Sequence, residues 1–192
     1  DSTYAAEIPE GAKMPKIEFD HVSFSYNGVR NNVDDVSFTV EPGQTLGIIG
    51  LGAIGRLLAN AAVALGMKVV GCAPYLSEAA AKQLDPSVVR LDTFEDVYAA
   101  ADYISLHVPA TPQTKGMINS ESIAKMKDGV RILNLARADL VNASDLKAAL
   151  ADGKVKKYVT DFPTEETINV PGIVAIPHLG ASPEEAEDNC AV

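Results

Sequence analysis

Hydrophobic and polar residues follow one pattern near the amino terminus and another in the rest of the chain. Apolar and polar positions alternate over residues 16–26 and again over residues 36–40, with a shift in phase near Asp20 and His21. Such alternation is typical of half-buried strands. Asn27 and Gly28 form a strong turn signal between the two segments. Because no helical pattern separates the strands, an antiparallel β-hairpin is predicted.

From Thr45 onward, short apolar runs alternate with helical stretches. Strands that are apolar on both faces and alternate with helices predict a parallel sheet with helices on both sides. The predicted strands are 46–49, 68–72, 88–91, 103–108, 130–133, 155–160 and 173–176. The predicted helices are 53–65, 77–84, 93–100, 120–126 and 144–151, with Thr93 and Ser144 as N-caps. The fold class is therefore α/β, a doubly wound parallel sheet with an N-terminal antiparallel hairpin.

Composition and charge narrow the range of functions. Apolar residues make up 47% of the 192 residues, which is sufficient for a packed core. The formal net charge of −10 opposes binding to nucleic acid and to anionic membranes, so neither is an expected partner. We find neither an apolar run of the ~18 residues that a membrane span needs nor a signal-peptide pattern. Cys72 and Cys190 lack metal-ligand spacing, so we expect free thiols, no metal and a cytoplasmic location.

The first candidate site is a glycine-rich loop. Gly50, Gly52 and Gly55 form G-x-G-x-x-G between a predicted strand and a predicted helix, which is the context of a dinucleotide-binding loop. The three glycines would allow a tight turn, close approach of a pyrophosphate and close packing of the helix. Backbone N–H groups at the helix start, with Ala53 and Ile54, would face the phosphates. This predicts a Rossmann-like sheet that binds NAD(H); the alternative is a turn with only a packing role.

The second strand of this unit departs from the dinucleotide-binding pattern. An acidic residue about 20 residues beyond the glycine loop usually binds the adenosine ribose. Ala73 occupies that position, the next acidic residue is Glu78, and no arginine follows that would favour a ribose phosphate. Losing a charge-assisted hydrogen bond costs about 1.5–3 kcal/mol, so we expect weak binding and leave NAD against NADP open. The alternative is that water or Tyr75 satisfies the ribose.

Five segments after Thr45 carry a family resemblance. They are GIIGLGAIG, DYISLHVPATPQTKGMIN, RILNLARADLVN, KYVTDFP and IPHLGAS. In this order they resemble the D-2-hydroxyacid dehydrogenases, and among these the short-form phosphoglycerate dehydrogenases, over residues 45–192. The resemblance implies hydride transfer between the nicotinamide of NAD and C2 of a 2-hydroxy acid. It also implies that the partners are NAD(H) and a small 2-hydroxy or 2-oxo acid, and that a homodimer can form.

The same resemblance assigns catalytic roles. Arg137 would bind the substrate carboxylate, because a planar guanidinium suits that bidentate task. His178 would be the general acid/base, steadied by Glu165 or Glu166. By residue type alone, a surface arginine and a loop histidine are the better explanations of Arg137 and His178, and only the motifs reverse this. Glu165 or Glu166 could simply be a solvated loop charge.

Further cofactor contacts are implied by the resemblance. Asp161 resembles the residue that holds the nicotinamide carboxamide, although an aspartate at a strand end also caps turns. His107, Val108 and Pro109 resemble the segment that lines the adenosine and ribose, and His107 could equally be structural. Ala136, next to Arg137 in NLAR, completes the predicted cofactor-binding set.

The N-terminal segment resembles a different family. KIEFDHVSFSYNG and DDVSFTVEPGQTLGIIG are similar to the opening strands of an ABC transporter ATPase domain, in which Tyr26 would stack on adenine. A Walker A loop requires G-x-x-x-x-G-K-[ST], and GLGAIGRL has neither the lysine nor the Ser/Thr. No ATP-hydrolysis site is therefore expected.

These resemblances predict a chimera. Its parts are a loose lead-in over residues 1–15, an ABC-like hairpin over 16–44 and a dinucleotide-binding domain over 45–192, with the family's substrate domain absent. Three functional hypotheses follow: an NAD(H)-binding domain with little or no turnover, an oxidoreductase completed by another chain, and a non-catalytic engineered or structural scaffold. The first is favoured, because the domain that would orient the substrate in a cleft is expected to be absent. Such orientation contributes about 7–11 kcal/mol to catalysis.

Overall fold

The structure is a computed structural model that describes residues 17–24, 33–40 and 43–178. The chain divides into two units, with the boundary between Gln44 and Thr45. Four features named above lie outside the described residues: the lead-in over residues 1–15, Tyr26, the turn signal Asn27-Gly28 and Cys190.

The first unit contains the predicted antiparallel hairpin. Strand β1 (Ile17–Phe24) pairs with strand β2 (Val33–Val40), which begins before the predicted residue 36. The register shifts between Phe19 and Val22, where the sequence predicted a change of phase. A β-bulge is an irregularity of this kind.

The second unit is built on a sheet of seven strands in the order β5-β4-β3-β6-β7-β8-β9, all parallel. The strands are β3 (Thr45–Ile49), β4 (Lys68–Cys72), β5 (Val89–Arg90), β6 (Tyr103–Leu106), β7 (Val130–Asn134), β8 (Val155–Thr160) and β9 (Ile173–Ala175). The helices are α1 (Ala53–Ala64), α2 (Glu78–Ala81), α3 (Phe94–Ala100), α4 (Ser120–Ala124) and α5 (Ala143–Ala151). A single 3₁₀ turn, Ala138–Leu140, was not predicted. The parallel α/β architecture is confirmed.

The strand order places a topological switch point at β3. The chain builds the sheet outward from β3 through β4 to β5, and then returns to the other side of β3 with β6. In open parallel sheets of this kind, ligands bind at the carboxyl ends of the strands beside such a switch point. We therefore expect functional residues in the loops that follow the strands, after β3, β4, β6, β7, β8 and β9.

Helix ends follow local hydrogen bonding, which corrects one predicted cap. Thr93 caps α3 as predicted, because its hydroxyl accepts from the backbone N–H of Asp96. The N-cap of α5 is Asn142 and not Ser144, since the Asn142 side chain accepts from the N–H groups of Ser144 and Asp145. The predicted cap Ser144 lies inside the helix, and its own hydroxyl donates to Asn142.

Buried side chains form a core on each face of the sheet. One cluster includes Ile49, Ile104 and Ile132, all fully buried, and the other includes Ile48 and Leu51. Two-sided burial explains why the strands read as continuous apolar runs in the sequence. Within the described residues, no helix has the length and apolar character needed to cross a lipid bilayer.

Candidate functional site

The glycine loop begins where β3 ends, at Gly50. Its backbone has φ +98°, a left-handed conformation that glycine adopts without steric cost. Its N–H donates to the carbonyl of Cys72 at 2.9 Å, which ties the turn to β4. A Cβ atom at this position would lie 2.6 Å from the His107 carbonyl oxygen. Only glycine therefore fits this turn, which lies between the ends of β4 and β6.

The other two glycines of the loop differ in their surroundings. A Cβ atom at Gly55 would collide with the carbonyl oxygen of Gly50, so this glycine lets α1 approach the loop closely. Gly52 is exposed and a Cβ atom there would meet nothing within 4 Å. The absence of a side chain at Gly52 thus leaves open space in front of the loop, which suits close approach by a ligand.

The start of α1 has the character of an anion site. Gly52 is its N-cap, no side chain caps it, and no acidic residue lies in the first turn. The first N–H groups of a helix have no partner within the helix and carry a partial positive charge. Ala53 and Ile54 are exposed at this end. Exposed donors beside an open glycine position fit the pyrophosphate of a dinucleotide.

The end of β4 offers no carboxylate to a ribose. Ala73 follows the strand, and its carbonyl accepts from the N–H of Leu76 in a turn. Tyr75 in this turn has a side chain that is 99% exposed, so it packs against nothing in the described part of the chain. The site therefore offers N–H donors to the phosphates, but the end of β4 has no carboxylate for the ribose.

His107 and Val108 form the wall opposite the glycine loop. The N–H of His107 donates to the carbonyl of Ile49 at 2.7 Å, and its Nε2 lies 2.9 Å from the Ser105 hydroxyl. Burial lowers the pKa of His107, so the ring is neutral near pH 7. Val108 lies beside Gly50, because its Cγ1 would be 2.9 Å from a Cβ atom there.

Pro109 continues this wall into an ordered turn. Its carbonyl accepts from the hydroxyl of Thr114 at 2.6 Å, and that hydroxyl also accepts from the N–H of Thr111 at 2.8 Å. The segment after β6 is thus fixed by its own hydroxyl groups.

A buried amide holds the loop that carries Arg137. The Oδ1 of Asn134 accepts from the N–H groups of Ala136 and Arg137 at 3.2 and 3.3 Å. Its Nδ2 donates to the Arg137 carbonyl at 2.9 Å and to the hydroxyl of Tyr158 at 3.0 Å. Sequence reasoning missed Asn134 as a site residue. The available signal was a polar amide that ends an otherwise apolar strand.

The side chain of Arg137 is exposed and makes few contacts. Its Nη1 donates to the Ala136 carbonyl at 2.7 Å, and its guanidinium carbon lies 5.9 Å from the centroid of the Phe162 ring. Within residues 43–178 the guanidinium forms no ion pair. Its cationic fork is therefore open to an anion such as a carboxylate.

His178 meets a carboxylate at the end of β8. Its Nδ1 lies 2.7 Å from Oδ2 of Asp161, whose side chain is only 14% exposed. The other oxygen, Oδ1, is buried and has no hydrogen-bond partner in the described part of the chain. The Phe162 ring packs against the imidazole with centroids 4.4 Å apart. An orphaned buried acceptor at this point is what a bound amide donor would satisfy.

The two predicted partners of His178 lie elsewhere. Glu165 and Glu166 are exposed and line a cavity of about 490 Å³ together with Asn142. Neither side chain forms a hydrogen bond or ion pair with His178. Asp161 contacts the histidine instead, because β8 and β9 pair in register and bring the residues that follow them together.

The site as a whole lies at one edge of the sheet. The strands are parallel, so the glycine loop after β3, the His107 segment after β6 and the loops after β7, β8 and β9 all leave the same edge. This edge combines the start of α1, an arginine without an ion pair among residues 43–178, and a histidine–carboxylate pair.

Comparison with known proteins agrees with this arrangement. Residues 25–183 match the family described as D-isomer specific 2-hydroxyacid dehydrogenase, NAD binding domain. The chain belongs to this family. The matched region begins within the N-terminal segment, and the similarity of that segment to ABC transporter ATPases stays a prediction.

The chain is also similar to individual dehydrogenases. The chain is 44% identical over 152 residues to the D-3-phosphoglycerate dehydrogenase of Mycobacterium bovis, which covers 76% of this chain and 28% of the relative. The holo form of Rhodotorula graminis D-mandelate dehydrogenase superposes with a TM-score of 0.67 at 31% identity, over 76% of this chain and 44% of that one. The NAD-complexed D-isomer specific 2-hydroxyacid dehydrogenase of Lactobacillus delbrueckii ssp. bulgaricus has a TM-score of 0.64 at 28% identity, over 74% and 48%.

The chain spans 28% of the length of the phosphoglycerate dehydrogenase that it matches. The matched part is the NAD-binding domain, and NAD is the cofactor of this domain family. The glycine loop and the start of α1 described above are the features that fit this cofactor.

Proposed function

We propose that this domain binds NAD(H) across residues 50–55 and that its Arg137–Asp161–His178 cluster serves the interconversion of a small 2-hydroxy acid and its 2-oxo acid. One observation carries the proposal: the anion-binding glycine loop and this cluster lie at the same carboxyl edge of one parallel sheet. The pyrophosphate of NAD(H) is the anion that the loop would bind. Within the cluster, Arg137 is the cation and His178 is the proton-transfer group.

The residues present can hold the cofactor along this edge. The N–H groups of Gly52, Ala53 and Ile54 suit the pyrophosphate, and His107 and Val108 form the adjoining wall. The buried Oδ1 of Asp161 suits the amino group of the nicotinamide carboxamide. When bound, NAD supplies the carbon that accepts or donates the hydride.

Arg137 and His178 would serve both the oxidation of the 2-hydroxy acid and the reduction of the 2-oxo acid. Arg137 binds the carboxylate of the acid. On oxidation, Nε2 of His178 would take the hydroxyl proton of the substrate, and NAD, when bound, would supply the acceptor for the hydride from C2. On reduction, both transfers reverse. A catalytic role for Glu165 or Glu166 stays a prediction, and their exposure away from His178 gives it no support.

Cofactor binding with little or no turnover is the function that we propose for this chain by itself. Turnover requires a substrate held in place and shielded from water, whereas Arg137 and His178 are exposed at the edge of the described sheet. Completion by another chain is the second possibility. A non-binding scaffold is the third, and it is favoured by Ala73 and the exposed Tyr75, which leave the ribose without a charged partner. A cytoplasmic location stays a prediction.

We further propose a homodimer that forms through α1. Ile54 and Leu57 are each 71% exposed, and Leu65, the C-cap of α1, is 66% exposed. At 100° per residue these three side chains lie on one face of α1, which also carries the exposed Ala61. A row of large apolar side chains in solvent is typical of a protein interaction surface.

The first experiment is a titration of the protein with NADH, followed by cofactor fluorescence. The variant Gly52→Val should weaken binding about tenfold or more, because its side chain fills the space that the pyrophosphate needs, while the open surroundings of Gly52 let the domain fold. Ala64→Val, at the exposed far end of the same helix, is the matched control and should bind like the wild type. Ala73→Asp should tighten binding by supplying the missing ribose acceptor.

Saturable binding that Gly52→Val removes supports the proposal. Equal affinities for the wild type and Gly52→Val, in proteins that both melt cooperatively, would overturn it. A steady-state assay with 3-phosphoglycerate and with simple 2-oxo acids then tests turnover. Turnover by this chain alone would contradict the proposal that it acts only as a cofactor-binding domain.

A further inference from the structure

The turn after β4 places Ala73 beside a cavity on one face of the sheet. Ala73 and Leu76 both pack against the hydrophobic cluster that contains Val69 and Val88. The carbonyl of Ala73 accepts from the N–H of Leu76 at 3.1 Å, and Leu76 lines a cavity of about 430 Å³. The position that usually carries the ribose-binding carboxylate therefore adjoins this cavity.

An arginine from the neighbouring strand lines the same cavity. Arg90 is the last residue of β5 and pairs with Gly71, two residues before Ala73. The N–H of Leu91 donates to the Gly71 carbonyl at 2.9 Å, which holds β5 beside the end of β4. Residues 74–89 contain no arginine. The pairing of strands, and not the segment that follows Ala73, therefore brings this cation to the turn.

Among the described residues, four charged side chains line the cavity, two of each sign. Lys82 and Arg90 are exposed, and neither forms an ion pair in the described part of the second unit. Asp85 already accepts from the N–H and the hydroxyl of Ser87, at 2.8 and 2.6 Å. Glu78 is exposed in the first turn of α2. The two cations are therefore available to an added anion.

The acidic residue that follows β5 is associated with the opposite face of the sheet. The carbonyl of Asp92 accepts from Sγ of Cys72 at 3.4 Å, and Cys72 belongs to the other hydrophobic cluster, with Val97 and Tyr98. Burial, and after it the charge of Asp92, raises the pKa of the Cys72 thiol. Asp92 therefore acts on the Cys72 side and not on the side of Ala73.

A carboxylate at the end of the second strand favours NAD(H) over NADP(H) for two reasons. It accepts from the ribose hydroxyls, and its charge repels a 2′-phosphate. A phosphate monoester carries about −1.5 to −2 charges near pH 7, so this repulsion is substantial. Ala73 provides neither effect. A nearby arginine accommodates the 2′-phosphate, because a guanidinium can donate two parallel hydrogen bonds to it.

We propose that the cavity beside Ala73 accepts the 2′-phosphate of NADP(H), with Arg90 and Lys82 as its cationic partners, so that this domain binds NADPH as well as NADH. The subsite rests on the proposed binding of the pyrophosphate across residues 50–55 and extends it toward β5. The two carboxylates that line the cavity oppose a strong preference for NADPH. The result is a site that discriminates little between the two cofactors.

The test is a pair of fluorescence titrations of the full chain, one with NADH and one with NADPH. The wild type should bind both, with dissociation constants within about tenfold of each other. Ala73→Asp should tighten NADH binding and weaken NADPH binding, which shifts their ratio about tenfold or more. Ala73→Asn is the matched control, because its amide oxygen can accept from the ribose but carries no charge, so it should not weaken NADPH binding.

Variants of the two cations test the subsite from the other side. Arg90→Gln and Lys82→Gln should each weaken NADPH binding about threefold to tenfold, because an exposed contact is screened by salt, and should leave NADH binding unchanged. Lys68→Gln, exposed at the amino end of β4, removes the same charge elsewhere and should change neither affinity. These positions are exposed, so the result does not depend on the folding of Ala73→Asp.

The outcomes separate this inference from the proposed function. NADPH binding that Ala73→Asp and Arg90→Gln both weaken supports the subsite. Binding of NADH without measurable binding of NADPH would overturn the subsite and leave the proposed NAD(H) site intact. Wild-type affinity for NADPH in Arg90→Gln would overturn the role of the cavity. Binding of neither cofactor, by a protein that melts cooperatively, would overturn the proposed function and the subsite together.

Discussion

Individual polar residues that sequence reasoning passed over shape much of the site. Asn134 is fully buried, and its one amide group satisfies two N–H groups and one carbonyl of the loop that carries Arg137. A buried amide that loses such partners leaves several groups unpaired, each at a cost of about 1–3 kcal/mol. The position of Arg137 therefore depends on a residue that has no chemistry of its own.

The stability of the domain should depend on pH through His107. Burial lowers the pKa of this residue below its ordinary 6.5, so the unfolded chain binds the proton more readily than the folded one. Between the lowered pKa and 6.5, stability therefore rises with pH and is lost as the pH falls through this window. Urea unfolding at about pH 7.5 and pH 5 should show a larger loss for the wild type than for His107→Gln.

The comparison of the two proteins isolates His107, because His21 and His178 are present in both. Equal losses of unfolding free energy in the wild type and His107→Gln would show that this ring is not desolvated. A larger loss in the variant would contradict the sign of the predicted effect.

At the scale of elements, helix boundaries were predicted less well than the helices themselves. The sequence placed α2 over residues 77–84, but the structure ends it at Ala81, because the N–H groups of Gln83 and Leu84 bond to carbonyls only three residues back. The cap of α5 was misplaced for a related reason. Several of its first residues could serve as cap, and only the backbone shows that Asn142 is extended while Ala143 is helical.

The corrected cap can be tested by stability. Asn142→Ala should lower the free energy of unfolding by about 1 kcal/mol, because it removes the oxygen that accepts from two N–H groups at the start of α5. Ser144→Ala is the matched control two residues away and should change it by no more than about 0.5 kcal/mol, as for most surface substitutions. Urea unfolding measures the free energy of unfolding of both variants. A larger loss for Ser144→Ala than for Asn142→Ala would support Ser144 as the cap, as predicted from the sequence.

At the scale of the whole molecule, the apolar face of α1 predicts an oligomer. Leu57→Glu should convert a dimer to a monomer, because it places a charge on the row formed with Ile54 and Leu65. Light scattering after size-exclusion chromatography measures the mass directly. Gln83→Glu, at an exposed position after α2, is the control for an added negative charge. A wild type that is monomeric at all concentrations would refute the interface.

The sequence by itself determined the parallel α/β fold and the glycine loop. Both depend on local patterns, because apolar runs specify doubly buried strands and the spacing of Gly50, Gly52 and Gly55 specifies a turn that opens a helix. The family could be predicted for the same reason, from ordered segments such as NLAR and PHLGAS.

Only the tertiary structure decided which of the candidate residues meet. His178 could be paired in sequence with Glu165 or Glu166, yet it contacts Asp161, which is further away along the chain. The parallel register of β8 and β9 creates this contact, and register depends on packing across the whole sheet and not on local sequence. The buried role of Asn134 has the same origin, because its partner Tyr158 lies on the neighbouring strand.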